Sequence, residues 1–210
     1  MKKAVVLGKG DLAIKVGEWL LQSEEYELTA VVPVIPEPVW TNSLAEWCKT
    51  KNVPIVSSGH YKDLDFTPDF AMSVFYDKIF KKDFIDSCGK ILNLHNSPLP
   101  KYRGVSPINW ALKNKETEHG VTIHEITPGI DDGPIIGQIK YSIYPDIDEV
   151  RDVYNRAMKY GYILFEQTAP MFDKIEPRFQ DDSKSIYYDS TKNKFLGDRR
   201  YFTRGEKGAR

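Results

Sequence analysis

The chain has 210 residues, of which 41% are hydrophobic and 28% are charged. A chain of this length and composition can bury one substantial core, which excludes disorder, a collagen-like repeat and a coiled coil. Its 29 Lys and Arg against 30 Asp and Glu leave a formal net charge of -1. No overall field therefore recruits nucleic acid or an anionic membrane, and we expect partners to be recognised at local sites.

Cysteine content and apolar runs predict a protein of a reducing compartment. Cys48 and Cys88 are too few for a disulfide framework and lack the spacing of a redox or metal motif. The apolar run at residues 4–7 is shorter than the core of a secretory signal, and no run approaches the ~20 residues of a membrane span. We expect a cytoplasmic protein without a membrane partner.

Strands and helices alternate over about the first 95 residues. Residues 4–7 predict a buried strand that enters a glycine turn, and the apolar positions of residues 12–20 fall on one helix face. An extended pattern resumes at residues 26–32, which completes a β-α-β unit and predicts a parallel sheet. Further strands are predicted at residues 54–56, 70–75 and 91–95, and short helices at residues 43–51 and 81–87.

The pattern changes to a proline-rich loop and longer elements after residue 95. Ser106 before Pro107 is typical of a helix start and predicts a helix over residues 107–114. Strands at residues 121–126 and 134–143 flank a stretch rich in turn residues. The longest helix follows, with Asp148 as its candidate cap, and its apolar stripe should lie across the sheet.

The absence of repeats and linkers favours one α/β domain. We expect a Rossmann-like, mostly parallel twisted sheet with helices on both faces over residues 1–185. Residues 186–210 are expected to form a short β-hairpin and a basic tail packed on that domain.

The first glycine turn matches a variant of the dinucleotide-binding fingerprint, Gly8-x-Gly10-x-x-Ala13. The fingerprint also requires an acidic residue about 20 positions later to hold a ribose hydroxyl. This chain has Val32-Pro33-Val34 there. A structural tight turn, or a phosphate-facing loop formed by Gly8, Lys9 and Gly10, is therefore favoured over dinucleotide binding.

Asn93 and His95 stand two residues apart at the carboxyl end of a predicted strand. Strand geometry points both side chains to the same face, and ligands of open α/β sheets gather at this end of the strands. The alternative is a structural histidine whose ring is satisfied by the backbone.

A second polar segment places His124 on a strand and Asp131 and Asp132 in the following turn. Amide, imidazole and carboxylate together are the parts of an acyl-transfer site that uses no serine or cysteine nucleophile. The four histidines lack the spacing of zinc ligands, so we expect no metal.

The combination Asn93-x-His95, Leu-Pro-Lys-Tyr-Arg-Gly at residues 99–104 and His124-(x)6-Asp131-x-Gly133 resembles the formyltetrahydrofolate-dependent formyltransferases. The likeness is clearest over residues 91–143. It implies the formyltransferase fold, 10-formyltetrahydrofolate as formyl donor, and a catalytic trio of Asn93, His95 and Asp131.

By the same resemblance, an acceptor amine attacks the formyl carbon. Asn93 and protonated His95 would stabilise the formyl oxygen, and His95 or Asp131 would accept the surplus proton. Folate-pocket residues implied by the family are Phe75, Tyr76, Asp77, Lys78, Ile79, His124 and Asp132. For His124 the alternatives are orienting Asp131 or packing in the core, and for Asp132 a turn carboxylate is favoured.

The acceptor is inferred from the sequence motif at residues 101–110, Lys-Tyr-Arg-Gly-(x)2-Pro-Ile-Asn-Trp. It is similar to the sugar N-formyltransferases, which act on nucleotide-linked amino sugars for surface glycans such as lipopolysaccharide. Methionyl-tRNA formyltransferases carry a further carboxyl-terminal domain, whereas this chain ends at Arg210. We therefore expect no tRNA or other nucleic-acid partner. Trp110 is expected to be a core aromatic.

The diphosphate of such an acceptor needs cationic or backbone donors. Candidates are Gly8, Lys9, Gly10, Arg103, Arg199 and Arg200, although a solvated tail is the simpler interpretation of the basic terminus. Four Trp and twelve Tyr supply aromatic surface for a homodimer contact. Alternative functions are a glycinamide ribonucleotide formyltransferase, a nicotinamide-dependent oxidoreductase and a non-catalytic nucleotide-binding module.

Overall fold

The computed structural model describes residues 1–197, which fall into two compact units. One unit comprises Met1–Leu94 and Glu125–Pro128, and the other comprises His95–His124 and residues 129–197. Arg199 and Arg200 lie outside the described residues. The division into residues 1–185 and 186–210 stays a prediction.

The first unit contains a parallel sheet in the order β2-β1-β3-β4. β1 lies centrally, and its residues 4–8 are buried on both faces, as expected of a parallel strand covered on either side. The elements are β1 (Lys2–Gly8), α1 (Gly10–Leu21), β2 (Tyr26–Pro33), α2 (Leu44–Lys51), β3 (Phe70–Val74), α3 (Lys82–Ser87) and β4 (Lys90–His95). This arrangement confirms the predicted α/β class with a mostly parallel sheet.

The predicted strand at residues 54–56 is wrong. The segment makes one isolated bridge, between Val31 and Ile55. Its backbone bonds run from Val31 N–H to the Pro54 carbonyl and from Val56 N–H to the Val31 carbonyl. Proline has no N–H to contribute to a longer ladder, so the segment follows β2 without becoming a strand.

The glycine turn between β1 and α1 is set by a close approach of two backbones. Gly8 has a φ of 153°, and a Cβ at this position would lie 2.0 Å from the Val74 carbonyl oxygen. Only glycine fits there. The turn therefore has a structural reason that needs no bound nucleotide.

The second unit joins helices to an antiparallel pair of strands. Its elements are β5 (Arg103–Gly104), α4 (Pro107–Lys113), β6 (Glu118–Glu125), β7 (Ile135–Ser142), α5 (Val150–Thr168) and β8 (Tyr187–Tyr188). β6 and β7 pair with Val121 opposite Ile139, and the register shifts between Ile123 and His124. α5 packs on β7, where the bare Gly137 leaves room for Leu164.

The start of α5 differs from the prediction. Glu149 is the cap residue, and it exchanges hydrogen bonds with Asp152 in a capping box. Asp148 instead accepts a hydrogen bond from the Tyr144 N–H and pairs with the Arg156 guanidinium. The helix begins at Val150, the first residue of the predicted apolar stripe, and only the predicted cap is wrong.

A short carboxyl-terminal strand is present as β8. Within the described residues, its partner is β5, in parallel pairing, rather than the second strand of a terminal hairpin. Residues Ser190–Phe195 form a 3-10 helix. Trp110 is buried and stacks on Tyr188 at 3.9 Å between ring centroids, which confirms its prediction as a core aromatic.

None of the helices within residues 1–197 combines the length and the apolar character that crossing a membrane requires. Cys48 and Cys88 are buried free thiols. Burial raises the pKa of each thiol to about 11, which keeps both protonated and unreactive near neutral pH.

Candidate active site

Asp131 lies between two histidines of the second unit. Its Oδ2 is 3.5 Å from His95 Nδ1, and its Oδ1 is 3.5 Å from His124 Nε2. The two imidazole rings are 6.4 Å apart and nearly perpendicular. The structure thus brings together His95, His124 and Asp131, as the sequence predicted.

Local backbone structure explains how Asp131 reaches this position. Asp131 has a φ of 50°, in the left-handed region that Asp tolerates better than most residues. The Gly104 N–H donates to Asp131 Oδ2 at 2.9 Å. Gln180 Nε2 donates to the carbonyls of Asp131 and Gly133, at 2.9 and 2.8 Å, so a side chain remote in sequence fixes the turn.

Asp131 is held in its ionised form. Burial alone would raise the pKa of this carboxyl group, whose side chain is only 15% exposed. Three neighbours outweigh burial and hold the pKa of Asp131 well below its ordinary range. They are His95 through its charge, His124 through its hydrogen bond and charge, and the Gly104 N–H through its hydrogen bond. The site therefore contains a carboxylate at neutral pH.

His95 presents a ring nitrogen to each of two acceptors. Its Nε2 lies 2.8 Å from the Tyr102 carbonyl oxygen, and because a carbonyl only accepts, Nε2 carries a proton and donates it. Its Nδ1 faces the Asp131 carboxylate. Each of its two ring nitrogens therefore faces an acceptor, a backbone carbonyl on one side and a carboxylate on the other.

Asn93 belongs to the first unit. It lies on β4 two residues before His95, is partly buried, and pairs in register with Ser73 of β3. The strand position matches the prediction. Its catalytic role stays a prediction.

The loop predicted to line the folate pocket follows β3 in the first unit. Phe75 has a φ of 56°, and Tyr76 accepts from the Tyr61 N–H at 3.1 Å and donates to the Gly59 carbonyl at 2.8 Å. Burial raises the pKa of Tyr76 to about 12, so its hydroxyl stays protonated. The loop also contains an Asp77–Lys78 ion pair and the exposed Ile79.

Lys9 lies in the Gly8 to Gly10 loop of the first unit. Burial lowers the pKa of its ammonium group, and the charge of Asp77 opposes that shift. A cation in this loop is compatible with the predicted phosphate contact, which stays a prediction.

The contacts of Arg103 are internal. Its Nε and Nη2 donate to Gln180 Oε1 at 3.1 and 2.8 Å, and Nη2 pairs with Asp182 at 2.7 Å. The side chain is 11% exposed. Arg103 thus supports Gln180, and its predicted contact with the acceptor stays a prediction.

Asp132 is exposed and folds back over its own turn. A Cβ at Gly129 would lie 1.9 Å from Asp132 Oδ2. This geometry agrees with a turn carboxylate, and folate contact stays a prediction.

Sequence reasoning missed Gln180 and the backbone groups of Tyr102 and Gly104. Gln180 meets Arg103 across 77 positions of the chain, a contact that no local spacing encodes. The motif at residues 99–104 did mark the stretch that supplies the two backbone groups.

Tyr102 and Gln180 also line a cleft of about 540 Å³ in the second unit. Its lining includes Lys101, Lys140, Arg178 and Lys184, with Glu116, Glu118 and Asp181 among them. Within residues 1–197, no cluster of three or more His, Cys, Asp or Glu is placed to hold a metal ion.

Comparison with protein families shows a match to the formyl transferase family over residues 60–168. The chain is 29% identical over 198 residues to methionyl-tRNA formyltransferase of Campylobacter jejuni. That match covers 87% of this chain and 64% of the relative. The chain therefore spans less than two thirds of the length of these curated relatives.

Solved structures of sugar-modifying formyltransferases are similar in fold. The N-formyltransferase of Helicobacter canadensis, in complex with folinic acid and dTDP-3-aminofucose, has a TM-score of 0.79 and 26% identity, covering 91% of this chain and 72% of that one. A sugar 3N-formyl transferase with dTDP and 5-N-formyl-THF has a TM-score of 0.77 and 27% identity, covering 91% and 70%.

A third similar structure is the formyltransferase PseJ of Anoxybacillus kamchatkensis, in complex with UDP-4,6-dideoxy-4-formamido-L-AltNAc and tetrahydrofolate. It has a TM-score of 0.67 and 25% identity, and the match covers 99% of this chain and 93% of that one.

Proposed function

The chain belongs to the formyl transferase family, and on this premise we propose that it transfers a formyl group from 10-formyltetrahydrofolate to the amine of a nucleotide-linked amino sugar. The observation that carries the proposal is the buried Asp131 carboxylate paired with His95. This pair provides a cation and a base without a nucleophilic side chain, which suits direct transfer of an acyl group to an amine.

The donor is inferred from the family and from the site. 10-Formyltetrahydrofolate supplies the formyl group when bound. Three similar solved structures contain folinic acid, 5-N-formyl-THF or tetrahydrofolate. The side chains of the site fit this use, because the Asp131 carboxylate offers a proton acceptor directly beside the His95 ring.

We assign different roles to His95 and Asp131 in the transfer. The His95 cation stabilises an oxygen that gains negative charge, and Asn93 is the proposed second donor. Asp131, directly or through His95, accepts the proton that the acceptor amine releases as it bonds to the formyl carbon. A proton then passes to the folate nitrogen as its bond to the formyl carbon breaks, and tetrahydrofolate leaves. His124 holds the other carboxylate oxygen, which orients Asp131 toward His95.

The acceptor class is supported by two observations. The similar solved structures were obtained with dTDP, dTDP-3-aminofucose or a UDP-linked sugar. The cleft beside Tyr102 and Gln180 is lined by four cationic side chains, the class of donor that binds a diphosphate. Lys101, Lys140 and Lys184 pair there with carboxylates, which a bound diphosphate would have to replace as partners. We assign the phosphate contacts to this cleft. Contacts from the Gly8 to Gly10 loop and from Arg199 and Arg200 stay predictions from the sequence.

Methionyl-tRNA is the second candidate acceptor, because the curated relatives at 29% identity are methionyl-tRNA formyltransferases.

A cytoplasmic location, a homodimer and a role in making surface-glycan precursors stay predictions.

Incubation with 10-formyltetrahydrofolate and a panel of acceptors tests the function. The panel contains dTDP- and UDP-linked 3-amino and 4-amino sugars and methionyl-tRNA, and mass spectrometry detects the gain of one formyl group. We expect transfer to one amino sugar, and a His95→Ala variant should lower kcat on the order of a hundredfold or more. Transfer to methionyl-tRNA alone would replace the sugar acceptor, and no transfer to any acceptor would overturn the function.

A further inference from the structure

We propose that His119 is a positioning residue that holds His95 in its orientation toward Asp131. The inference rests on the proposed formyl-transfer function, because it assigns a further residue to the same site. His119 lies on β6 and its side chain is fully buried.

His119 is hydrogen-bonded to the backbone one residue after His95. Its Nε2 lies 2.8 Å from the carbonyl oxygen of Asn96, so Nε2 carries a proton and donates it. Asn96 is the next residue after His95 in the chain. A donor fixed on β6 thereby restrains the Asn96–Ser97 peptide, one peptide beyond the residue that carries the His95 ring.

The His119 ring also packs against the residue that holds the His95 ring. Its centroid is 6.1 Å from that of Tyr102, with the ring planes at 64°. The Tyr102 carbonyl accepts from His95 Nε2. On the other side, Tyr141 of β7 packs edge-on at 6.1 Å, opposite His119 in the strand register. His119 therefore contacts both ends of the segment from Asn96 to Tyr102.

His119 is uncharged near neutral pH. Burial lowers the pKa of His119 to about 4, the charge of His95 acts in the same direction, and the Asn96 carbonyl opposes both. A charged His119 would repel the proton on His95. The neutral ring with its proton on Nε2 positions His95 without competing for that proton.

The unbonded nitrogen of His119 indicates that packing alone does not account for an imidazole here. His119 Nδ1 is buried and has no hydrogen-bond partner among residues 1–197. A buried acceptor without a partner costs free energy that an apolar side chain would not cost. The benefit of the imidazole is therefore the donation from Nε2 to Asn96.

Two substitutions at His119 distinguish the contribution of its N–H donor from that of its aromatic ring. His119→Phe keeps an aromatic ring between Tyr102 and Tyr141 but removes the donor, whereas His119→Gln keeps a donor of similar reach. We expect His119→Phe to lower kcat by about tenfold to a hundredfold, because a small displacement of a catalytic group is costly. His119→Gln should keep kcat within about threefold, and KM should change little in either variant.

The matched control is His60→Leu. His60 caps a short 3-10 helix in the first unit and is outside the catalytic residues. It should leave kcat unchanged. Thermal unfolding of each variant establishes that it is folded, and His119→Leu replaces the phenylalanine variant if that larger side chain prevents folding.

Nitrogen-15 NMR of the His95 ring provides a readout independent of formyl transfer. We expect the His95 Nε2–H signal to be retained in His119→Gln and to shift in His119→Phe, because the bond to Tyr102 loosens. Unchanged His95 signals and kcat in His119→Phe would overturn the proposal, as would an equal loss of kcat in the glutamine variant. If the wild-type protein transfers no formyl group, the function fails while the NMR comparison still decides the role of His119.

Discussion

Gln180 connects two parts of the candidate site through one amide group. Its Nε2 donates to the carbonyls of Asp131 and Gly133, while its Oε1 accepts from Arg103. Both ends of the amide are used, so the orientation of the side chain is determined by its partners. The conformation of the Asp131 turn thus depends on a residue that never contacts the reacting groups.

Replacing Gln180 by Glu tests this dependence. The variant keeps an oxygen for Arg103 but replaces the donor with a second oxygen, which repels the Asp131 and Gly133 carbonyls. We expect kcat to fall by about tenfold or more, since the turn that carries Asp131 is displaced. Steady-state kinetics measures the change, and Gln167→Glu on the exposed face of α5 is the control. Equal kcat in the two variants would show that Gln180 is dispensable.

At the scale of elements, the junction of β1 and α1 is restricted by backbone contact. Gly8 lies against the Val74 carbonyl at the end of β3. The adjacent Gly10 opens α1 with a φ of 74°, and its missing Cβ leaves space for Thr41. This junction is determined by strand packing, and it places the Lys9 backbone at the end of the sheet.

Substituting Gly8 by Ala should destabilise the protein by about 2 to 4 kcal/mol, from the strained φ and the forced displacement of β3. Urea unfolding measures the loss. Gly197→Ala is the matched control, because Gly197 also has a positive φ, of 59°, but no atom of residues 1–197 lies within 4 Å of its missing Cβ. Equal losses in the two variants would contradict the close approach.

At the scale of the whole molecule, two buried titratable groups make the fold sensitive to acid. The folded pKa of His119 lies near 4, below its ordinary value of 6.5, and the folded pKa of Asp131 lies below its ordinary 3.8. The unfolded chain binds more protons than the folded chain in both pH ranges, so stability falls as pH decreases.

The unfolding free energy should therefore decline from pH 6.5 toward 4 as unfolded chains gain a proton on His119. A shift of this size corresponds to about 3 kcal/mol. The titratable groups that face His119 are His95, Tyr102 and Tyr141. Below pH 3.8, unfolded chains also gain a proton on Asp131, which lowers the unfolding free energy further.

Urea unfolding at a series of pH values measures both losses. His119→Gln should flatten the profile between pH 6.5 and 4 and leave the decline below pH 3.8 in place. A profile identical to that of the wild type would contradict the depressed pKa of His119.

Sequence alone located most helices and strands and the polar residues of the candidate site. Apolar periodicity and turn residues located β1, α1, α2 and α5 within a few residues, because these signals act between neighbours along the chain. Of the trio implied by the resemblance, Asn93, His95 and Asp131, the last two lie together, and His124, for which two roles were open, is the second histidine beside Asp131. The resemblance to the formyltransferases rested on the same residues.

Only the tertiary structure decided which remote groups complete the site. Gln180 reaches Arg103 across 77 positions, and His119 reaches Asn96 from another strand. Tertiary contacts also moved the cap of α5 from Asp148 to Glu149 and paired β8 with β5. These outcomes depend on distances between segments far apart in the chain, which local spacing does not specify, whereas the helices and strands follow from interactions among near neighbours.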